Sequence, residues 1–397
     1  MLPLTSDDEH LLYGRAEEVK TVLAACAAGR VTVVSSAPCM GVTSFLEAGV
    51  TPALQREDCI VVVFRAWPGR YFAAGLREKI AESVRLLSAT DFSVGGDELG
   101  ELLRRGCKRT GKRIALVLDQ FDDYLRCHAG TDIAEAFDAE LARAAQLAGA
   151  APLLFGLQNH ALEAFGRLQQ VIPNLLGSHI QLQPLRRDDV GQWVRREAER
   201  RRLELQPGVE QALLAGQTAA SAGGIHPFLF AVGLQRLMEA ETRMRSGAVR
   251  VSTIQEYGGP DTLILEALDL PLAELSSTHV DLFFRLCRIL IAGDGRRQSA
   301  TEQALTDYAG RLNRFVLTLL PVLIGKNILR SVEVRDGIRY EIARDGLVPI
   351  IRHWWDKREA VMVARRRARF RIRSLSVAVG TMILAYVAWL TLTWKGR

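Results

Sequence analysis

Through the first half of the chain, short continuous apolar runs alternate with longer segments of mixed polarity. The runs are V-T-V-V at 31–34, C-I-V-V-V-F at 59–64, R-I-A-L-V-L at 113–118, P-L-L-F-G-L at 152–157 and H-I-Q-L at 179–182. Runs this short, rich in β-branched residues and without polar alternation, predict strands covered on both faces, as in a parallel sheet. The intervening segments 15–28, 71–87, 98–107, 133–147 and 161–168 predict helices. Strands alternating with helices at this spacing predict an α/β core built on a doubly wound, mostly parallel sheet.

From residue 187 the strand signals stop. Helices are predicted at 188–203, 208–214 and 228–244, the last two separated by the break Gly223-Gly224-Ile225-His226-Pro227. Further helices are predicted at 278–290, 301–308 and 314–323, then strands at 329–334 and 339–342 around Asp336-Gly337, a type I′ turn signal. Three helices and a hairpin make a winged-helix arrangement. Residues 374–394 are 21 residues without a charge; at ~1.5 Å per residue they span the ~30 Å hydrocarbon core of a bilayer. Tyr386, Trp389 and Trp394 gather toward one end, as interfacial aromatics do. The predicted organisation is therefore an α/β core (1–187), a helical lid (188–272), a winged helix (273–355), a basic juxtamembrane helix (356–373) and one transmembrane helix (374–394).

Charge changes the picture only once it is located. The net charge is +6, but from Arg352 onward 11 Lys/Arg face 2 Asp/Glu, an excess of nine that leaves residues 1–351 at −3. A slightly acidic body argues against a broad nucleic-acid footprint. Arg365, Arg366, Arg367, Arg369, Arg371 and Arg373 immediately precede the apolar stretch, so the positive-inside bias places the body in the cytoplasm of a single-pass, tail-anchored membrane protein. Ala378, Gly380 and Thr381 are small enough to allow close helix packing in the membrane. The N-terminus lacks a basic n-region and apolar h-region, so no signal peptide is expected. Six cysteines without CxxC spacing read as reduced thiols.

The candidate chemistry begins after the first strand. Residues 31–46 read strand, small-residue turn, helix start, the frame of a phosphate-binding loop G-x-x-x-x-G-K-[ST]. Gly41 and Thr43 fill the second glycine and the hydroxyl, but Ser36 replaces the first glycine and Val42 the lysine. The Ser36 side chain falls where the loop is expected to need positive φ. Asp119, after I-A-L-V-L, is placed to hold Mg²⁺ together with Thr43, and Asp122 to polarise an attacking water. The alternative for both aspartates is capping of the next helix. Gly14 and Arg15 are candidates for an adenine pocket, and His226-Pro227 for a helix start at the same site.

These motifs resemble a family. L-L-Y-G-R-A-E-E-V, S-A-P-C-M-G-V-T-S-F-L-E-A-G-V-T-P-A-L, V-V-V-F-R-A-W-P-G, L-V-L-D-Q-F-D-D-Y-L, H-P-F-L-F-A-V-G-L-Q-R-L and Y-E-I-A-R-D-G-L-V-P-I-I follow the order seen in the STAND class of AAA+-related P-loop NTPases, in particular the bacterial novel STAND group. The resemblance runs over about residues 11–357. It implies a core, lid and winged helix closing over ATP or ADP with Mg²⁺, opening to drive oligomeric assembly, and service in signalling or defence against phage. It also implies that Gln158 stands where an arginine senses the γ-phosphate, that Arg344 replaces a histidine that reads nucleotide, and that Pro227 belongs to the nucleotide site.

Val42, Gln158 and Arg344 are all phosphate-facing departures. The sequence thus predicts a membrane-tethered switch or scaffold with a degenerate site, weak nucleotide binding and little or no turnover, working through an effector or sensor protein. The alternatives are an active ATPase with Arg344 or Arg65 replacing the missing lysine, and an origin-recognition-like DNA binder. The second is disfavoured because its recognition segment, R-F-V-L-T-L-L-P-V-L-I-G-K, is too apolar to read bases.

Overall fold

The computed structural model describes residues 4–29, 31–88, 91–147, 151–215, 224–293, 295–334 and 337–355. Residues 1–348 form one compact unit, and residues 349–355, helical, are the described part of a second.

The five apolar runs form strands β1 (Thr32–Ser36), β2 (Cys59–Phe64), β3 (Arg113–Leu118), β4 (Leu153–Gln158) and β5 (His179–Leu182). They lie in one sheet in the order β2-β3-β4-β1-β5, with every pair parallel. Neighbouring residues of one strand enter opposite cores. Val33 and Leu116 pack with one apolar cluster, Val34 and Val117 with the other. Both faces are covered, which is why these strands show no polar alternation.

One face is covered by α1 (Ala16–Ala27) and by a helical run leaving the loop after β1. That run begins as α2 (Val42–Ser44), passes through a π-helical turn at Phe45–Val50 and ends as α3 (Thr51–Arg56). Pro52 has no N–H to continue the α-helical ladder, and the Thr51 hydroxyl donates instead to the Leu46 carbonyl at 2.9 Å. The other face is covered by α4 (Phe72–Ser88), α5 (Leu99–Thr110), α6 (Phe121–Cys127), α7 (Asp132–Ala145) and α8 (Leu162–Phe165). Thr131 caps α7 by accepting from the Ala134 N–H at 3.2 Å, a contact type worth about 1 kcal/mol.

An all-helical section follows: α9 (Arg187–Arg200), α10 (Val209–Ala215), α11 (Pro227–Met244), α12 (Val251–Glu256) and α13 (Pro260–Ala273). Within it, the two-residue strands β6 (Glu204–Leu205), between α9 and α10, and β7 (Ala248–Val249), between α11 and α12, pair in parallel. Then come α14 (Ser277–Leu290), β8 (Ala300–Thr301), α15 (Glu302–Ala309), α16 (Val316–Gly325), β9 (Leu329–Val334) and β10 (Gly337–Ile342). The last two form the expected hairpin, and β8 adds a third antiparallel strand to it.

Three expectations need correction. The segment after β3 forms a helix, α6, that no predicted element covered; seven residues opening on a left-handed Gln120 (φ 53) carry too little periodicity to show in sequence. The first strand runs on through Ser35 and Ser36 into what was expected to be turn, because both pair with β4 and β5. Helices α12 and α13 were not foreseen; Pro271 inside α13 breaks the usual signal. Among the described residues no helix is long and apolar enough to cross a membrane. The stretches 356–373 and 374–394, and Asp336 of the expected turn, lie outside the described residues.

Candidate functional site

Strand β1 brings the chain to the carboxyl edge of the sheet, where Ser36 lies between Gln158 of β4 and Leu182 of β5. Ser36 is extended, and its hydroxyl donates to the Ala37 carbonyl at 2.7 Å. The left-handed residues of the loop are Cys39 (φ 70) and Gly41 (φ 84). The strain expected at Ser36 is therefore absent there, and about 1 kcal/mol is spent at Cys39 instead. Gly41 opens α2, and its carbonyl accepts from Phe45 N–H at 2.8 Å. Val42 and Thr43 form the first turn, whose N–H groups have no partner within the helix. Val42 Cγ1 lies 3.2 Å from where a Cβ on Gly156 would sit, and Leu46 Cδ1 only 2.5 Å from it, so a larger residue here in β4 would have to push the Leu46 side chain aside.

Asp119 follows β3 and is held from several sides. Its N–H donates to the Phe64 carbonyl at 2.9 Å, its carbonyl accepts from Trp67 Nε1 at 2.6 Å, and its Oδ1 accepts from Gln120 N–H at 2.9 Å. Trp67 is itself locked edge-on against Phe64 and Phe121. Thr43 stands next to this group, with Gln120 Nε2 at 3.5 Å from its hydroxyl. Burial pushes the Asp119 carboxyl up to about 6, against the opposing pull of Arg65 and the Thr43 hydroxyl. Arg65, a candidate substitute for the lysine, is already committed: it pairs with Glu47, and its Nε lies 3.5 Å from Asp119 Oδ2.

Asp122 and Asp123 sit on α6 and behave differently. Asp122 faces the cavity; burial, with Asp123 and Asp345 nearby, pushes it up to about 7, and Arg297 opposes. Asp123 is also penalised by burial, but Arg297, Arg330 and Arg126 outweigh that and hold it at about 2. Arg330 lies 2.6 Å from Asp123, Arg126 2.8 Å and Arg297 3.6 Å. The same three arginines reach the fully buried Glu341 of β10 at 2.6, 2.9 and 3.4 Å, and Arg297 also binds Asp345. This ionic hub fastens the hairpin to the helix that follows β3.

The two aspartates give a pH dependence with a definite sign. A carboxyl raised on folding keeps its proton where the unfolded chain has lost it, so stability falls as pH rises from about 4 to the folded value. For Asp122 and Asp119 that window ends near 7 and 6. The thermal midpoint is expected to drop between pH 5 and pH 7.5, and Asp122→Asn to flatten the drop. An unchanged slope in that variant contradicts the assignment.

The remaining expected residues converge on one cavity of about 230 Å³ lined by the loop after β1, Asp119, Asp122, Gln158, Pro227 and Arg344, and reaching Tyr13, Arg15 and Trp193. Gly14 is close by in the chain but serves packing: at φ 66 it lies against Asp189, where a Cβ would approach to 2.8 Å. The Arg15 guanidinium donates to the carbonyls of Gln183 at 2.6 Å and Met40 at 3.4 Å, and pairs with Glu18. It ties the N-terminal segment to the loop. Phe228 N–H, in the first turn of α11, reaches the Cys39 carbonyl at 3.5 Å, and Cys39 Sγ contacts the Asp345 carbonyl at 3.7 Å. Core, helical section and hairpin unit thus meet at the loop. Burial lowers the Arg344 guanidinium. Sequence reasoning missed Arg297, Asp123 and Glu341. The available signal was Glu341, a lone acid between Tyr340 and Ile342 in a predicted strand.

The sequence profile described as Novel STAND NTPase 1 matches residues 1–379. The chain belongs to the Novel STAND NTPase 1 family. No curated protein matches it in sequence. Among solved structures it is similar to the Aeropyrum pernix ORC1 protein in complex with DNA, at 19% identity over 89% of this chain and 94% of that one, with a TM-score of 0.48. Similar too are Cdc6p from Pyrobaculum aerophilum (13%, 87% and 94%, 0.41) and the Thermotoga maritima RuvB branch migration motor (14%, 81% and 90%, 0.37).

The family implies a nucleotide with Mg²⁺, and the residues present fit only part of that group. Aromatic and aliphatic walls and the N–H groups of the loop suit a base, a sugar and a phosphate oxygen. The polyphosphate end does not fit: Val42 holds the lysine position, and Arg65 Nε already lies 3.5 Å from Asp119 Oδ2.

Proposed function

We propose that this chain is a membrane-tethered STAND-family switch or scaffold with a degenerate nucleotide site, acting through protein partners rather than through turnover, in signalling or anti-phage defence. The observation that carries the reading is the state of the cations around the cavity. Val42 replaces the lysine; Arg15, Arg65 and Arg297 each bind carboxylates of the protein itself, and Arg344 is the further cation on the wall. A phosphoryl group in transfer needs positive charge placed for it alone. The hub between α6 and the hairpin supports a closed state held by ion pairs instead of by nucleotide.

A protein partner suits the exposed chemistry better than nucleic acid. The outward face of α16, the recognition helix if this unit is read as a winged helix, carries Leu317 and Val322, both exposed. These offer no donors to base edges.

Membrane tethering rests on residues 374–394 and the arginines before them. Both parts of the reading are tested on full-length protein in its native membrane. Protease added outside spheroplasts is expected to leave the body intact, and the protein solubilised in mild detergent to migrate as an assembly larger than its 43.9 kDa chain. Digestion of the body contradicts the topology, and a monodisperse monomer contradicts the scaffold.

A further inference from the structure

We propose that the cavity selects against phosphate: its preferred ligand is an uncharged nucleoside-like molecule, and each added phosphate weakens binding. This rests on the reading of the cavity as a nucleotide-type pocket, and reverses the order expected of an intact phosphate-binding loop.

Charge supplies the first argument. The cavity wall sets the carboxyl groups of Asp119, Asp122 and Asp345, with burial holding Asp122 partly protonated near neutral pH, against the guanidinium groups of Arg15, Arg297 and Arg344, so it carries no large positive excess. Two of those arginines are already engaged. Arg15 is spent on Glu18 and two carbonyls, and Arg297 on Asp123, Glu341 and Asp345. A triphosphate bears about four negative charges; here it meets loop N–H groups, a valine, and a wall whose Arg15 and Arg297 are held by carboxylates of the protein, with Arg344 set among three acids. Charged groups taken from water without a paired counter-charge lose more than they gain.

Shape supplies the second. The cavity of about 230 Å³ lies below the ~300–1,000 Å³ usual for small-molecule sites. Tyr13 and Trp193, both on its wall, are stacked with centroids 5.4 Å apart and an interplanar angle of 26°. Arg196 lies over the Tyr13 ring at 5.9 Å and Phe230 packs against Trp193 at 5.4 Å, so the pair gives this end of the cavity a rigid aromatic wall. With Leu12, Leu185 and Pro227 around them, the base end is better furnished than the phosphate end.

The test is calorimetric titration of the full-length protein in lipid nanodiscs with adenosine, AMP, ADP and ATP, each with and without Mg²⁺, for wild type, Val42→Lys and Arg344→Ala. Adenosine is expected to bind wild type at least as tightly as ATP, with affinity falling along the series and no gain from Mg²⁺. Val42→Lys is expected to reverse the order, tightening ATP at least tenfold relative to adenosine. Wild type preferring ATP or ADP tenfold over adenosine overturns the selectivity while leaving the pocket reading intact. Loss of that preference in Arg344→Ala would identify the substitute cation. If ATP binds only to Val42→Lys and adenosine to neither, the selectivity is again overturned. If no compound binds any of the three proteins, the nucleotide-pocket reading itself falls, and this inference with it.

Discussion

Replacing Arg297 by alanine is expected to destabilise the folded body by about 3–5 kcal/mol, the cost typical of removing one partner from a buried ion pair. The Arg297 side chain is only 9% exposed, and it is the one member of the hub that touches Asp123, Glu341 and Asp345 together. Its removal leaves Asp123 and Glu341 dependent on Arg126 and Arg330, which are partly open to solvent and screened accordingly. Arg297→Lys keeps the charge but presents a point instead of a planar fork, so it is expected to fall between the two. Arg186→Ala, which removes a pair 83% exposed on the arginine side, is expected to leave stability essentially unchanged. Urea unfolding of the three variants measures the ranking. Limited proteolysis reports whether the hairpin unit has come away from α6. An Arg297→Ala protein as stable as the Arg186→Ala control contradicts the role given to the hub.

Val42→Lys is expected to tighten ATP binding by roughly 10–100-fold, since a charge-assisted contact is worth about 1.5–3 kcal/mol. Turnover is not expected to follow. Gln158 remains at the end of β4 and Arg344 remains on the cavity wall, and the resemblance assigns both positions to phosphate sensing. Asp119 also keeps Arg65 beside it. Restoring one charge repairs the ground-state contact; the transition state also needs charge where the transferring group develops it. Equilibrium titration alongside phosphate release separates the two effects. A variant that binds no better than wild type indicates that the loop, with Cys39 at φ 70, does not aim position 42 at phosphate.

The sheet was legible because burial on both faces leaves an unmistakable pattern. Residues 59–64, 113–118 and 179–182 are strands to the residue. The loop frame was legible through Gly41 and Thr43, since the turn into a helix demands small residues there. Two of the departures from expectation had local causes. Ser36 pairs with Gln158 as part of β1, and no local signal distinguishes a serine ending a strand from one beginning a turn. Gln120 adopts φ 53, a conformation glycine or asparagine would have announced. The hub was invisible for a different reason. Asp123 and Arg330 lie 207 positions apart, and their pairing exists only once the hairpin docks on α6. Arg126, Arg297 and Arg330 read as ordinary surface charges in sequence. Two of the cations that matter at the cavity, Arg15 and Arg297, are neutralised by partners that only the fold supplies.

On the proposed reading, this family member keeps the fold of a STAND NTPase without phosphoryl transfer. Steady-state phosphate release from the purified protein, with ATP and Mg²⁺ in excess, tests it most directly when wild type and Asp119→Asn are run side by side. The prediction is release at background level in both. Robust wild-type turnover that Asp119→Asn abolishes would contradict the claim, and would mean that a cation other than a lysine at position 42 serves the phosphates.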